Sequence, residues 1–163
     1  MTVKFKAVVI DNQNEKFTRD IKEIDSSHFK DGNVLIKIDY SSLNYKDALI
    51  LKDGGKIVRK FPFVPGIDFS GKVVESGDDK FKKDETVICT GFRVGEMYYG
   101  GFSQYAKVDS NFLIKNPKNI DAEQSMMLGT AGFTALQCSF AIKAREELLL
   151  GEKVNDVLVT GAT

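Results

Sequence analysis

Apolar and polar residues alternate through the first two-thirds of the chain. Lys4 to Ile10 (KFKAVVI) alternates and is rich in β-branched residues, the pattern of a half-buried strand. Phe17 to Ile24 alternates more loosely. A turn at Asp31-Gly32-Asn33 leads into VLIKIDY, where Val34, Ile36 and Ile38 share one face and Leu35 and Lys37 the other. FSGKVVES, ETVICTG and FSQYAKV follow, each bounded by glycine or charged turn residues. Gly66, Gly71, Gly77, Gly91, Gly95, Gly100 and Gly101 punctuate this stretch at short spacing. Many short strands broken by glycines predict a barrel or sandwich rather than a parallel sheet.

The pattern changes near Pro117. Asp121 is placed to cap a helix beginning AEQSMM. Phe133 to Leu149 is rich in Ala, Leu and charged residues and reads as one long helix or two short ones. Gly151 is a plausible C-cap, and an apolar strand at Val157-Leu158-Val159 then runs into Thr160-Gly161-Ala162-Thr163. The expected order is all-β, then helix, then a strand entering a glycine turn. A strand ending in glycine is how a dinucleotide-binding unit opens.

Length and charge narrow the functional classes. The 163 residues suit one full domain with a piece of another. The 23 basic and 23 acidic residues cancel, so the chain has little pull on phosphate backbones and no nucleic-acid partner is expected. No apolar run approaches the roughly 20 residues of a membrane helix, so no membrane partner is expected. The start, MTVKFKAVVI, lacks a signal-peptide core. Cys89 and Cys138 stand far apart, which suits a reduced, cytoplasmic chain; both read as small buried hydrophobes.

Several stretches are candidates for chemistry. A catalytic zinc needs three protein ligands, and one His with two Cys and no Cys-x-x-Cys pair argues against it; no metal is expected. His28, in DSSHFKDG, reads as an exposed turn residue. In SSLNYKDAL, Asn44, Tyr45 and Asp47 cluster at a strand-to-helix junction, and Asn44 and Asp47 share a helix face. Spacing alone favours a plainer reading, with Asn44 as helix cap and Tyr45 packed on the barrel. FPFVPGIDFSG, with Pro62, Pro65 and Gly66, reads as a rigid lead-in to a strand. GFRVGEMYYGGFSQY mixes glycines and rings that either wall a flat-ligand pocket or pack on the barrel. Lys52, Lys56, Arg59 and Lys60 form a basic run, more readily a solvated face than a phosphate guide.

SSLNYKDAL, FPFVPGIDFSGKVVES, YYGGFSQYAKV, GTAGFTALQC and VLVTGAT occur in this order. The ordered set resembles the medium-chain dehydrogenase/reductase superfamily, nearest its zinc-independent quinone oxidoreductase branch and the acrylyl-CoA reductase-like group. The resemblance implies a mainly β, GroES-like catalytic barrel over residues 1–125. Residues 126–163 would begin an NAD(P)-binding Rossmann (α/β) domain, truncated before its Gly-rich loop. Zinc-dependent relatives carry a Cys near the start of the first motif and a His after the Gly of the second; Leu43, Asn44 and Ile67 occupy those neighbourhoods here.

The implied parent activity is hydride transfer from NADP(H), or NAD(H), to the β-carbon of a quinone, enone or acrylyl thioester. In that reading Tyr45 donates a proton or hydrogen bond, Asn44 orients substrate or ribose, and Asp47 supports them. Thr130 approaches the nicotinamide, together with Tyr45, and Gly161 and Thr163 begin the pyrophosphate loop. The fragment alone is expected to be inactive and to bind no cofactor, with a small-molecule substrate for the parent. A homodimer through the unpaired strand is a further expectation. Two alternatives stay open: a zinc-free alcohol dehydrogenase on this scaffold, and a non-catalytic GroES-like binding module.

Overall fold

The computed structural model describes residues 2–13, 16–54, 56–148 and 156–160. Among these residues, seven strands and two α-helices occur in the order β1 (Lys4–Gln13), β2 (Lys16–Asp25), β3 (Val34–Ser41), α1 (Tyr45–Asp53), β4 (Asp68–Ser76), β5 (Thr86–Thr90), β6 (Tyr105–Val108), β7 (Leu113–Lys115) and α2 (Ala122–Leu148). The chain divides into two compact units, Met1–Thr130 and Ala131–Thr163.

The first unit holds all the β structure among the described residues. β1 and β2 form an antiparallel ribbon in unbroken register from Lys4↔Asp25 to Gln13↔Lys16. The other strands form a five-stranded antiparallel sheet in the order β6-β3-β4-β5-β7. Isolated bridges Ala7↔Ser103 and Ile10↔Phe63 fasten the ribbon to the segments before β6 and β4.

The alternation seen in β3 explains how the layers stack. Val34 and Ile36 point into a cluster with Phe69, Val73, Val87, Cys89 and Val108, while Leu35 points the other way into a cluster with Phe5, Ala7, Val9 and Phe29. A strand covered on both faces must be apolar on both, and Val34, Leu35 and Ile36 are all buried. Each such side chain contributes about 1.5–3 kcal/mol when fully buried.

α1 rests on much less. Its buried residues are Asp47 and Ile50, and Ile50 joins Ile10, Val58 and Phe63 in a third cluster. Gly54 ends the helix in the left-handed region (φ 80°), its N–H donating to Ile50 O at 2.8 Å. A helix with one buried aliphatic residue needs polar anchors, and Asp47 supplies them.

The cap expected at Asp121 is present. Gln124 N donates to Asp121 Oδ1 at 2.8 Å, and Asp121 N donates to Gln124 Oε1 at 3.0 Å, a reciprocal capping box. α2 is one assigned helix with a break at Gly129 (φ 47°, ψ −153°), which reconciles the one-helix and two-helix readings.

Three expectations are corrected. α2 is long and apolar enough to cross a membrane by length and composition, because no residue between Glu123 and Lys143 is charged; Gln, Ser, Thr and Gly interleave with the apolar residues and obscured that run. Cys138 is exposed, since the α2 residues around it have nothing packed over them among the described residues. Val157–Val159 forms no strand and is exposed at 55–88%. A strand needs a partner for its N–H and C=O groups, and the second unit has no assigned strand among its described residues to supply one. Gly151, Gly161, Thr163 and Leu149 lie outside the described residues.

Candidate active site

β3 ends at Ser41, and the chain turns through Ser42, Leu43 and Asn44 into α1. Asn44 has extended backbone angles (φ −116°, ψ 160°), as a residue at a helix N-cap does. Its N–H donates to Asp47 Oδ2 at 2.9 Å, and Asp47 Oδ1 accepts the N–H of Ile67 at 3.0 Å. Asp47 thus clamps the start of α1 to the turn before β4. It has no solvent exposure. Burial pushes its carboxyl above the ordinary range; the N–H groups of Asn44 and Ile67 pull it back, and nearby Asp68 adds repulsion.

Asp68, the first residue of β4, is a second fully buried carboxylate. Oδ2 accepts from Ser42 Oγ at 2.8 Å, Asn44 Nδ2 at 3.0 Å and Thr130 N at 2.8 Å; Oδ1 accepts from Thr130 Oγ1 at 2.6 Å. Asn44 Nδ2 also reaches Ser42 Oγ at 3.0 Å. Four donors compensate the loss of water around this group, as a buried carboxylate requires. Gly129 makes the approach of Thr130 feasible. Its φ is positive, and a Cβ there would stand 2.9 Å from Asp68 Oδ2 and 3.0 Å from Ser42 Oγ.

The structure therefore brings Asn44, Asp47 and Thr130 into one polar cluster, with Tyr45 at its edge. Tyr45 opens α1 and is 81% exposed, and its hydroxyl has no hydrogen-bond partner among the described residues. The ring does not pack on the barrel. Sequence reasoning passed over Asp68 and Ser42. The available signal was an acid flanked by Ile67 and Phe69 in an otherwise apolar strand start, a position that buries its charge and so needs partners.

The aromatic loop packs its rings and also borders open space. Phe92 stacks on Phe112 with centroids 5.0 Å apart, and Tyr99 meets Phe63 edge-on at 5.5 Å. Met97, Tyr98 and Tyr99 also wall a cavity of about 460 Å³ with His28, Phe61 and Lys107. Arg59 and Lys60 line a neighbouring one of about 220 Å³. Neither includes Asn44, Tyr45, Asp47 or Thr130. The paired buried carboxylates mark the junction more strongly than cavity size marks the loop, because such groups persist only where a precise arrangement is held.

His28 is exposed in a short 3₁₀ turn, its Nδ1 3.1 Å from Asp25 O. Cys89 is fully buried, and burial, with the charge of Asp68 adding to it, pushes its thiol up to about 12. Such a thiol stays protonated and unreactive at neutral pH. Among the described residues no three His, Cys, Asp or Glu side chains converge.

Comparison with known proteins places this arrangement. The profile of the alcohol dehydrogenase GroES-like domain matches residues 30–118. The chain belongs to this family. It is 42% identical over 160 residues to the acrylyl-CoA reductase AcuI of Ruegeria pomeroyi, covering 97% of this chain and 48% of that protein. It is 38% identical over 163 residues to YhfP of Bacillus subtilis, described as a putative quinone oxidoreductase, covering 100% of this chain and 48% of that one.

Among solved structures, the yhdH oxidoreductase of Salmonella enterica in complex with NADP superposes with a TM-score of 0.82 at 38% identity, over 85% of this chain and 43% of that one. Bacillus subtilis yhfP with NAD bound gives 0.83 at 37% identity, over 87% and 43%. The chain spans about half the length of the curated relatives it matches.

Proposed function

We propose that this GroES-like chain is the substrate-side half of an NAD(P)H-dependent oxidoreductase that reduces an activated alkene, of quinone, enone or acrylyl-thioester type. The carrying observation is the similarity to an acrylyl-CoA reductase along 97% of the chain, which runs through the whole polar junction. In this reading residues 1–125 are the catalytic domain and 126–163 begin the dinucleotide-binding domain. NADP(H) is the cofactor of the whole protein, with NAD(H) as the alternative, since similar structures hold one or the other. We place the protein in the cytoplasm with a small-molecule substrate, and assign it no nucleic-acid or membrane partner. The apolar residues exposed along α2, among them Phe133, Leu136 and Phe140, then face the rest of the cofactor domain rather than lipid. Gly161 and Thr163 would open the pyrophosphate turn.

The junction fits a nicotinamide in one concrete respect: the Tyr45 ring stands free at its edge, a flat face beside polar groups held from behind. The dinucleotide supplies hydride, and the chain's own residues have to meet the charge that hydride delivery creates. Hydride added at the β-carbon leaves negative charge on the carbonyl oxygen, and a proton must reach the α-carbon. A donor aimed at that oxygen lowers the barrier by stabilising charge that develops only in the transition state. The Tyr45 hydroxyl is free to do this. Asp47 contributes by fixing the helix start on which Tyr45 stands.

The test is made in the whole protein with acrylyl-CoA, an enone, a quinone and an alcohol as alternative substrates. Tyr45→Phe should lower kcat with the alkene by about 10²-fold or more, the range of a lost general acid or oxyanion donor. Folding stability should stay within about 0.5 kcal/mol, because the side chain is exposed. Unchanged turnover would remove Tyr45 from the chemistry. Turnover of alcohols alone would point to the zinc-free alcohol dehydrogenase, and turnover of none to a binding module.

A further inference from the structure

We infer that Asp68 is the positioning residue of this junction: its carboxylate fixes Asn44 as a hydrogen-bond acceptor and holds both donors of Thr130, leaving Tyr45 as the cluster's free side-chain donor. This rests on the junction being the reducing site, but its basis is separate. An asparagine amide has two N–H groups and one carbonyl, and its orientation follows from its neighbours. Asn44 Nδ2 lies 3.0 Å from Asp68 Oδ2, a carboxylate oxygen that accepts, and 3.0 Å from Ser42 Oγ. The Ser42 hydroxyl gives its own proton to Asp68 at 2.8 Å, so it meets Asn44 with a lone pair. The amide nitrogen is thereby turned toward two acceptors, and the remaining polar atom of Asn44, Oδ1, which caps α1 at the Asp47 N–H, only accepts.

The same logic applies to Thr130. Its N–H and its hydroxyl both run to Asp68, at 2.8 and 2.6 Å. Toward a ligand Thr130 Oγ1 therefore acts as an acceptor as well. Neither Asn44 Oδ1 nor Thr130 Oγ1 can stabilise a developing oxyanion, which an acceptor would repel. What they recognise is a donor: the amide N–H₂ of a nicotinamide, a ribose hydroxyl, or the N–H of a thioester's amide chain. Asp68 sets that polarity from behind without touching the ligand. A single buried acid, reached by donors from the β3–α1 turn and from the start of the second α2 segment, decides which site atoms give protons and which receive them.

Side-chain amide exchange in this chain measures the assignment directly. The two Nδ2 protons of Asn44 should exchange at least tenfold more slowly than those of exposed Asn119, and show contacts to the Ser42 hydroxymethyl group. Asp68→Asn keeps an oxygen for these donors and should retain that signature. Asp68→Leu removes both carboxylate oxygens, leaving Asn44 Nδ2 with Ser42 Oγ alone, and should speed Asn44 side-chain exchange at least severalfold. Should Asp68→Leu fail to fold, Ser42→Ala takes away one partner only, and exchange of one Asn44 proton should then rise. Exchange of Asn44 at the rate of Asn119 in the unmutated chain would overturn the inference. Protected protons together with no alkene reduction by the whole protein would instead overturn the functional reading and leave the role of Asp68 standing.

Discussion

At the scale of single residues, Asp47 is the most informative titrating group. Its carboxyl sits above the ordinary range because burial outweighs the two N–H groups that favour its charged form. A raised value in the folded state means that the folded chain holds the proton more tightly than the unfolded chain. The resulting stability is fully present below the unfolded value of about 4 and is lost as pH rises through the folded value. Asp25, Asp78 and Glu85 run the other way. Their values are lowered by hydrogen bonds, from Ser27, Lys80 and Lys115 first, so their contribution disappears as pH falls. They are partly exposed at the surface, so solvent screening keeps that contribution small.

Asp47→Asn isolates the buried group, since the amide carries no titrating proton. Measured by urea unfolding from about pH 4 to pH 8, the stability advantage of wild type over Asp47→Asn should shrink as pH rises past the ordinary carboxylate range, then level off. A difference that stays constant across the range would show that burial does not raise Asp47.

At the scale of elements, close backbone crossings hold the fold together, and the one at Gly66 shows what they cost to disturb. Gly66 has φ 106°, and a Cβ there would stand 2.4 Å from Phe102 N and 2.8 Å from Gly101 N. The proximity is used: Gly101 N donates to Gly66 O at 2.8 Å, Phe102 N to Pro65 O at 2.9 Å and Gly100 N to Val64 O at 2.8 Å. Gly66→Ala combines a left-handed backbone with a collision against main chain that cannot rotate away, and should cost about 2–4 kcal/mol. Gly91 is the comparison, with φ 82° and open space around its would-be Cβ; Gly91→Ala should cost only about 1–2 kcal/mol of backbone strain. Denaturant midpoints of the two variants separate the terms. Equal losses would mean that the crossing itself carries no stability.

The glycine punctuation and the alternation made this level legible in the sequence. β1 to β6 lie where the period-two pattern puts them, and Asp121 caps α2 as its type and place suggest. β7 was missed because three residues, Leu113–Lys115, are too few to show a period. The uncharged run in α2 was missed because hydroxyl and amide side chains dilute it. Asn44, Tyr45, Asp47 and Thr130 could be named from the chain, but their convergence could not. It depends on Asp68, which acts through a contact 62 residues away in sequence, and long-range polar pairing leaves no local pattern.

For the whole molecule, the question is how much of a cofactor site one such chain holds. The relatives bound to NADP and NAD are more than twice as long as the part matched here, which covers 43% of each. A dinucleotide's pyrophosphate is normally held by N–H groups of a Gly-rich turn and the helix after it, and its adenosine by later strands. Within Met1–Thr163 the groups expected at the nicotinamide end, Tyr45, Asn44 and Thr130, offer one ring and a few polar atoms. A single amide or ribose contact contributes about 1 kcal/mol net, far below the roughly 8 kcal/mol that micromolar affinity requires. Residues Met1–Thr163 alone should therefore bind NADPH no tighter than about millimolar and show no reductase turnover, while the sheet and ribbon stay folded. Titration calorimetry with NADPH, alongside circular dichroism of the same sample, measures both halves of that statement. Micromolar binding by this chain would mean that the β3–α1 junction carries most of the cofactor affinity, and the division of labour proposed between the two domains would have to be redrawn around Asn44 and Thr130.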